Sequence, residues 1–502
     1  MKLAFEPEHL ALMAQIREIY NPDRPIYLVG GAVRDALLGK PLHDMDFVME
    51  ENPTSLAREL AKHLKVGFFI LDDERHTARV VYYDSEGKYF PLDFVQFTGQ
   101  NIEEDLRNRD FTINAMAVPV NQVTRVIDPL GGQADLEMGL LRLCNERSLL
   151  DDPVRVLRGV RLAVQFDLKF DAGLEQALQE AGTRLSRTTS ERQRDEFFRL
   201  LAGPNPAKAL ELCLRLHIFD TLFPVLAEKV PGSAALQRPS VNQVIKIVER
   251  YDALLQVLTS AGDDLQDADW LMRTARDVLG QFSSEIGTYF SAELTPGRPK
   301  AALAYLGMLL SQLELSSASD HSQGQQEVEY ALDDGELVYE TCKQFSLSNV
   351  ESRWVQTFAQ HHQQLLPRIT ACDAPDRRTI FCFFKQTKEV GVALAIHALA
   401  QLLVADGADL VQEVWRCALK AVETYLSAWW KGHDELIAPR LFLDGNDLQK
   451  EFGLTPGKLI GDLLTNLEEE QASGIIRSPD QARNYVRNWL SELPERGENH
   501  ES

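Results

Sequence analysis

The chain is poor in cysteine, in positive charge and in long apolar runs. Six cysteines, Cys144, Cys213, Cys342, Cys372, Cys382 and Cys417, are scattered through 502 residues with no Cys-x-x-Cys step. That spacing excludes a disulfide framework and a zinc ribbon and points to reduced, mostly buried thiols. No apolar run reaches the ~18–20 residues that a bilayer span needs, so no membrane partner is expected. The opening MKLAFEPEHLALMAQ lacks a charged stretch followed by an apolar core and a cleavage site. No signal peptide is therefore read, and a cytoplasmic location is expected. Lys and Arg number 52 against 75 Asp and Glu, a net charge of −23. Such a balance argues against a protein that coats nucleic acid along its whole length, although a local basic groove stays open.

What is present is ordinary globular composition, 44% hydrophobic and 25% charged. At ~100–200 residues per domain, the length suggests roughly three to five domains. The N-terminal part mixes patterns. Helical spacing over His9–Tyr20 precedes a short strand over Pro25–Val29, a Gly30-Gly31 break and a helix over Ala32–Leu38. A second strand, Asp46–Met49, leads to a helix over Pro53–Leu64, with Thr54 or Ser55 near its cap. Strand-like runs follow at Val66–Leu71, Ala78–Tyr83 and Phe90–Phe97, with a hairpin turn at Asp84–Lys88 between the last two. From about residue 135 only helix-period patterns appear. The reading is therefore an α+β head with a small mixed sheet, followed by a long all-helical region. Ser311–Glu327 is Ser/Gln-rich and reads as a surface linker, and the last dozen residues read as frayed.

The segment that carries chemistry runs from Leu28 to Asp46. A strand delivers the chain to Gly30-Gly31 at a helix N-terminus, where outward N–H groups suit an anion such as a triphosphate. Taken alone, Gly-Gly before a helix is a plain turn. Asp44 and Asp46 then stand at i, i+2 on a strand, so both carboxylates leave one face. Carboxylates that close repel unless a cation lies between them, and Mg²⁺ is the natural occupant beside phosphates. Nucleotidyl transfer uses two such ions, and a third carboxylate on a neighbouring strand helps. Asp93 is the candidate, the plain alternative being a solvent-facing strand residue.

Gly30-Gly31-x-Val33-Arg34-Asp35-x-Leu37-Leu38-Gly39 with Asp44-x-Asp46 resembles the catalytic signature of the class II tRNA nucleotidyltransferase/bacterial poly(A) polymerase family. That family lies in the polymerase-β-like nucleotidyltransferase superfamily. Arg109-Asp110-Phe111 is similar to its second motif, whose Arg and Asp approach the ribose. Asp128–Leu136 resembles the motif that opens the neck, Asp151-Asp152-Pro-Val-Arg155-Val-Leu-Arg158 the base-reading motif, and Glu191-Arg192-Gln-Arg194-Asp-Glu196 the next helix motif. Leu443–Leu448, Pro456-Gly457 and Gly461 resemble the tail region, whereas residues 220–440 carry no usable signature. The resemblance implies a catalytic head over 1–135, a helical neck over 136–225, a body over 226–330, a tail over 331–490 and a frayed end over 491–502. It implies catalytic Asp44, Asp46 and Asp93, the first two as metal ligands for two Mg²⁺ ions. It further implies triphosphate contacts at Gly30, Gly31 and Arg34, ribose contacts at Arg109 and Asp110, and base reading by Asp152 and Arg155. Asp35, Asp151, Arg158, Glu191 and Arg194 support these. Two motifs depart from the usual form: Asp151 stands where Glu is common, and Asn108 where Arg is common. The lone His433-Asp434 step reads as an exposed loop, not as the metal pattern of a phosphohydrolase domain.

Asp152-Pro153 also reads as a helix start. Asp152 and Arg155, at i, i+3, would share a helix face. A carboxylate accepts and a guanidinium donates, so the pair fits the amino donor and ring-nitrogen acceptor of cytosine or adenine. Guanine and uracil present the reverse order and would leave groups unpaired, at about 1–3 kcal/mol each. Residues 141–200 hold eleven basic side chains, ten of them arginine, against ten acidic ones. About half are expected in helix salt bridges and the rest along a groove facing the catalytic strands. The expected activity is Mg²⁺-dependent, template-independent addition of C and/or A from CTP and ATP to the tRNA 3′ end, with no DNA partner. The competing readings are a poly(A) polymerase on other RNAs and a non-catalytic RNA-binding relative. Within this family the helical tail is expected to grip the tRNA by shape.

Overall fold

The computed structural model describes residues 1–20, 24–73, 76–225, 239–260, 269–311, 334–407 and 410–491. Two compact units are present, one of Met1–Pro204 with Leu212–Pro224 and one of Asn205–Glu211 with the residues from Val225 onward.

The first unit begins with α1 (Pro7–Ile19), β1 (Ile26–Val29), α2 (Gly31–Leu38), β2 (Met45–Met49) and α3 (Pro53–Leu64). β3 (Gly67–Asp72), β4 (Thr77–Tyr83), β5 (Tyr89–Gln96), α4 (Ile102–Arg107) and β6 (Ala117–Pro119) follow. The six strands form one sheet in the order β3-β4-β5-β2-β1-β6. Only the central β2–β5 pairing is parallel. The others are antiparallel, as the mixed-sheet reading anticipates. The Asp84–Lys88 turn closes on itself through the Asp84 N–H to the Lys88 carbonyl.

Alternation along each strand gives the sheet two unlike faces. On one, Phe47, Val80, Leu92 and Phe94 are fully or almost fully buried, and Phe47 stacks on Phe94 at 5.1 Å between ring centroids. α3 closes that face with Leu56, Ala57, Leu60 and Ala61. On the other face the cover is partial. Ile102 and Leu106 of α4 pack with Val29, Val48, Ala115 and Ala117, so the β1–β2–β6 side is sheltered. The β3–β5 side of that face stays open.

The unit continues through α5 (Gly132–Met138), β7 (Leu140–Leu141), α6 (Ser148–Asp151), α7 (Arg155–Gln165), β8 (Lys169–Phe170), α8 (Leu174–Gly182) and α9 (Ser190–Leu201). The motif at Asp128 is a helix cap, its carboxylate accepting from the N–H groups of Gly132 and Gln133 at 2.7 and 2.9 Å.

The second unit is helical apart from one short strand pair, Glu293–Thr295 with Arg298–Pro299, among its described residues. Its most apolar helix, Val390–Ala405, is buried along nearly its whole length. No described helix is long and apolar enough by itself to cross a membrane. The three helices Gly445–Phe452, Lys458–Ala472 and Pro479–Ser491 share a core of Leu448, Ile460, Leu463, Leu467, Ala482 and Val486. Asp444 and Asp447 form a capping box at the first of them, a physical reason for the Leu443–Leu448 pattern.

Four local expectations need correction. α3 starts after Asn52, a left-handed residue with Pro53 in the first turn, not on a Thr54 or Ser55 cap. Two short strand pairs interrupt the region after residue 135, β7–β8 and the one at Glu293–Pro299. His433 and Asp434 lie in a single π-helical turn, His433–Ile437, with the His433 ring edge-on to Trp429. Asp152 is not a helix residue. It is extended, with φ −144° and ψ 95°, as the residue before a proline tends to be, and α7 starts at Arg155. The Ser/Gln-rich linker beyond Ser311 and the C-terminal dozen beyond Ser491 lie outside the described residues.

Candidate active site

Strand register brings the chemistry together. Val29 pairs with Asp46, Asp46 with Asp93, and Asp93 with Arg79, so these side chains form a row across one face. Asp44 stands just before β2, which begins at Met45. At the end of β1 the chain turns through Gly30, with φ 74° and ψ −137°, a conformation that side chains rarely adopt. A Cβ there would come within 3.3 Å of Arg109 Nη1 and 3.7 Å of Asp46 Oδ2. Gly30 thus lets the arginine and the carboxylate close over the turn, and Gly31 opens α2 behind it.

The electrostatics are uneven. Asp46 is pushed up to about 7, first by burial and then by the charges of Asp44 and Asp93. Asp44, whose surface is still open to solvent, is raised as well, by surrounding protein that displaces water and by Asp93 and Asp35. Neither carboxylate accepts a hydrogen bond among the described residues. Asp93 differs, since Arg79 grips it with two bonds of 2.7 Å from Nε and Nη2. That pair holds the Arg79 guanidinium above its usual range, with a contribution from Tyr89. The structure therefore gives two unneutralised carboxylates beside one already satisfied. A hard divalent cation takes one or two carboxylates and completes its shell with water and phosphate oxygens, so Asp44 and Asp46 fit it. No ready-made cluster of three or more ligand side chains occurs among the described residues.

The other candidates fall into two groups. Arg34 is buried; it donates to Asp35 from Nε and Nη2 and to Asn114 from Nη1, and lies 4.2 Å over the Phe166 ring. In this arrangement it braces the turn and Asp35 holds it in place. Arg109 is held by Asp105, which also accepts from Thr98. Asp110 is buried, accepts from the Phe111 N–H and pairs with Arg158 at 2.8 Å. Burial alone would raise its carboxyl, but the Arg158 charge and the Phe111 bond hold it below the usual range. Arg158 and Arg161 both reach Glu196 of α9.

Asp152 and Arg155 face different partners. Asp152 accepts from Arg192 at 2.7 Å. Arg155 donates to the carbonyls of Asn108, Arg109 and Ser148 and, at 2.7 Å, to Ser148 Oγ. It thus braces the backbone that carries Arg109. Asp151, Glu191 and Arg194 are not brought to the carboxylate row. Asp151 lies 4.0 Å from Arg147, Glu191 is exposed, and Arg194 pairs with its neighbour Asp195.

Of the ten arginines between 141 and 200, Arg142, Arg147, Arg158, Arg161, Arg192, Arg194 and Arg199 all lie in ion pairs. The expected basic groove is correspondingly reduced. Sequence reasoning missed Arg79 and Asp105, and within the Glu191–Glu196 motif it assigned support to Glu191 and Arg194, whereas Arg192 and Glu196 make the contacts. Arg79 was within reach, because counting back from the Asp84–Lys88 hairpin turn pairs Tyr83 with Tyr89 and then Arg79 with Asp93.

The poly A polymerase head domain family matches residues 26–142, and a family described as the probable RNA and SrmB-binding site of polymerase A matches residues 167–230. The A-adding tRNA nucleotidyltransferase of Deinococcus radiodurans is 30% identical over 477 residues, 93% of this chain and 96% of that protein. The CC-adding tRNA nucleotidyltransferase of Geobacter sulfurreducens is 26% identical over 93% of each chain. Among solved structures, a CCA-adding enzyme in its apo form I superimposes with a TM-score of 0.61 at 23% identity, covering 98% of this chain and 96% of that one.

The carboxylate row yields a stability test with a definite sign. Asp46 binds its proton more tightly in the folded chain than in the unfolded one. Its charge therefore costs stability increasingly as pH rises from about 4 to about 7, and the cost stays above that. In EDTA at pH 8, Asp46→Asn should be more stable than wild type, on the order of 1–4 kcal/mol, and the gap should close toward pH 4. Chemical denaturation at the two pH values measures it; a destabilised Asp46→Asn at pH 8 would refute the unneutralised pair.

Proposed function

The chain belongs to the class II tRNA nucleotidyltransferase/bacterial poly(A) polymerase family, and on that premise we propose that it extends the 3′ end of tRNA with C and/or A, using CTP and ATP and releasing pyrophosphate. The observation that carries the reading is the Asp44–Asp46 pair, unneutralised beside the Gly30 turn. A binding-only relative has no reason to keep two destabilised carboxylates at the start of a central strand.

In this reading Gly30 and the N-terminus of α2 present N–H groups to the triphosphate, a favourable setting for negative charge. Arg109, close to Asp46 and held by Asp105, supplies positive charge toward the sugar and phosphates. Asp110 acts through Arg158, tying the segment after α4 to α7, while Arg34 and Asp35 support the turn. Asp44 and Asp46 would hold Mg²⁺, two ions in the full assembly, which would lower the pKa of the attacking 3′-hydroxyl and neutralise the leaving pyrophosphate. Asp93, gripped by Arg79, keeps a third negative charge in the row. The head, neck, body and tail divisions at about residues 135, 225 and 330 complete the proposal, with the tail reading tRNA by its duplex shape.

Base selection follows from exchangeable bonds. Asp152 is held by Arg192, and Arg155 by neutral acceptors, so each has a partner that a base edge replaces. Cytosine and adenine give Asp152 an amino donor and Arg155 a ring-nitrogen acceptor. Uracil and guanine present the reverse order and leave both half-buried groups without a matching partner on the base.

Products decide the activity. Incubation with tRNA ending at the discriminator base, in -C and in -CC, with each nucleotide separately, should give additions of one or two residues, from CTP or ATP alone. Long homopolymeric A tails on unrelated RNA would instead identify a poly(A) polymerase, and no extension at all would refute catalysis.

Two arginines separate base reading from bracing. Arg155→Ala should reduce the CTP-to-UTP preference in single-turnover incorporation by roughly 5- to 150-fold. Arg158→Ala leaves Asp110 buried without its cation, so it should lower stability and slow all four nucleotides alike. An unchanged CTP-to-UTP ratio in Arg155→Ala would confine Arg155 to bracing the Asn108–Arg109 backbone.

A further inference from the structure

The open part of the catalytic face carries more than its carboxylates. Register continues the Asp46–Asp93–Arg79 row to Phe69 on β3, the edge strand. Phe69 is 58% exposed, although its neighbour Phe68 points to the other face and lies under Arg58. On the same face as Asp93, two residues and then four toward the start of β5, stand Pro91 and Tyr89. Tyr89 meets Tyr83 edge-on at 6.0 Å, and both rings are about half exposed, at 45% and 53%. Between them and Phe69, Gly67 pairs with Val81 and contributes no side chain, and all three rings stay exposed among the described residues.

We propose that this bare β3–β5 face is the platform on which the single-stranded 3′ end of the RNA stacks, with Phe69 as the principal base-stacking residue and the Tyr83–Tyr89 pair as a flanking one. The inference rests on the nucleotidyl-transfer reading above and adds the place where the primer lies. Three features favour RNA over a protein partner. The face is continuous with the carboxylate row, since Phe69 is three strand spacings from Asp46, roughly 14 Å at ~4.8 Å per strand. A primer whose terminal hydroxyl is at Asp46 must cross nearby surface. The rings are separated by a cation: Arg79 uses Nε and Nη2 on Asp93, leaving three of its five N–H groups for Tyr89 and for a phosphate oxygen. Aromatic rings beside a guanidinium are the usual composition of a sequence-tolerant single-strand site, because every base has a stacking face. The chain as a whole is strongly acidic, so stacking has to supply affinity that bulk charge does not.

The test uses the full-length protein with Phe69→Ala, Phe69→Trp and Tyr83→Ala. A tRNA carrying 2-aminopurine about two nucleotides upstream of its 3′ end, the distance that ~14 Å spans, reports stacking by fluorescence quenching. Wild type should quench the probe. Phe69→Ala should lose most of the quenching and raise the KM for tRNA about fivefold or more, with the KM for CTP and ATP changed less than twofold. Phe69→Trp should restore both, and Tyr83→Ala should give a smaller loss. Thermal unfolding near wild type confirms that the exposed substitutions keep the fold. Unchanged quenching and unchanged tRNA KM in Phe69→Ala overturn the platform. So does a wild-type dimer that Phe69→Ala converts to a monomer with tRNA kinetics intact, since the face would then be a contact between copies. If wild-type protein quenches the probe but extends no tRNA, the platform stands and the catalytic reading falls.

Discussion

Two carboxylates that the folded chain leaves without a hydrogen-bonded or ion-paired partner among the described residues determine how the rest of this structure is to be understood. Asp44 and Asp46 sit side by side at the start of β2, next to Asp93 and close against the Gly30 turn, and each is harder to ionise than an ordinary aspartate. A fold does not gain stability from such a pair. It does gain a site with strong demand for a cation, built on the central strands of a sheet whose opposite face is a packed aromatic and aliphatic layer. The rigid layer fixes the register, and the register fixes which charges meet.

Around that demand the remaining charges are almost all satisfied. Arg79 holds Asp93, Asp105 holds Arg109, Asp35 holds Arg34, Arg158 holds Asp110, and Glu196 gathers Arg158, Arg161 and Arg199. Buried or half-buried pairs of this kind orient side chains more than they stabilise the chain, because desolvation offsets much of the attraction. Their value here is geometric. Through Asp110, Arg158 and Glu196 the segment after α4 is tied to α7 and α9, and through Arg155 the backbone of Asn108 and Arg109 is tied to α6 and α7.

Much of this was legible in the sequence, and for a specific reason. Apolar patterning and a clear hairpin turn located five of the six head strands, four of which have a buried face; β6, only three residues long, is too short for alternation to mark it. The Gly30-Gly31 turn and Asp44-x-Asp46 were visible because their chemistry is local. What sequence could not supply was partner choice across distance. Asp152 and Arg155 are three residues apart and seem made for each other, yet Pro153 keeps Asp152 extended and Arg192, forty residues away, takes its carboxylate. Likewise about half of the basic residues of the neck were expected to face RNA, whereas seven of its ten arginines prove to be ion-paired within their own unit. Local periodicity reports burial, but it does not report which donor an acceptor finds.

Metal binding by the carboxylate pair, measured apart from turnover, tests the account most directly. Mn²⁺ titration followed by electron paramagnetic resonance counts bound ions on the folded protein without nucleotide or RNA. Wild type should sequester Mn²⁺, and the Asp44→Ala, Asp46→Ala double variant should bind at least one ion fewer with its fold intact. Equal stoichiometry and affinity in the two proteins would contradict the assignment of Asp44 and Asp46 as the cation site.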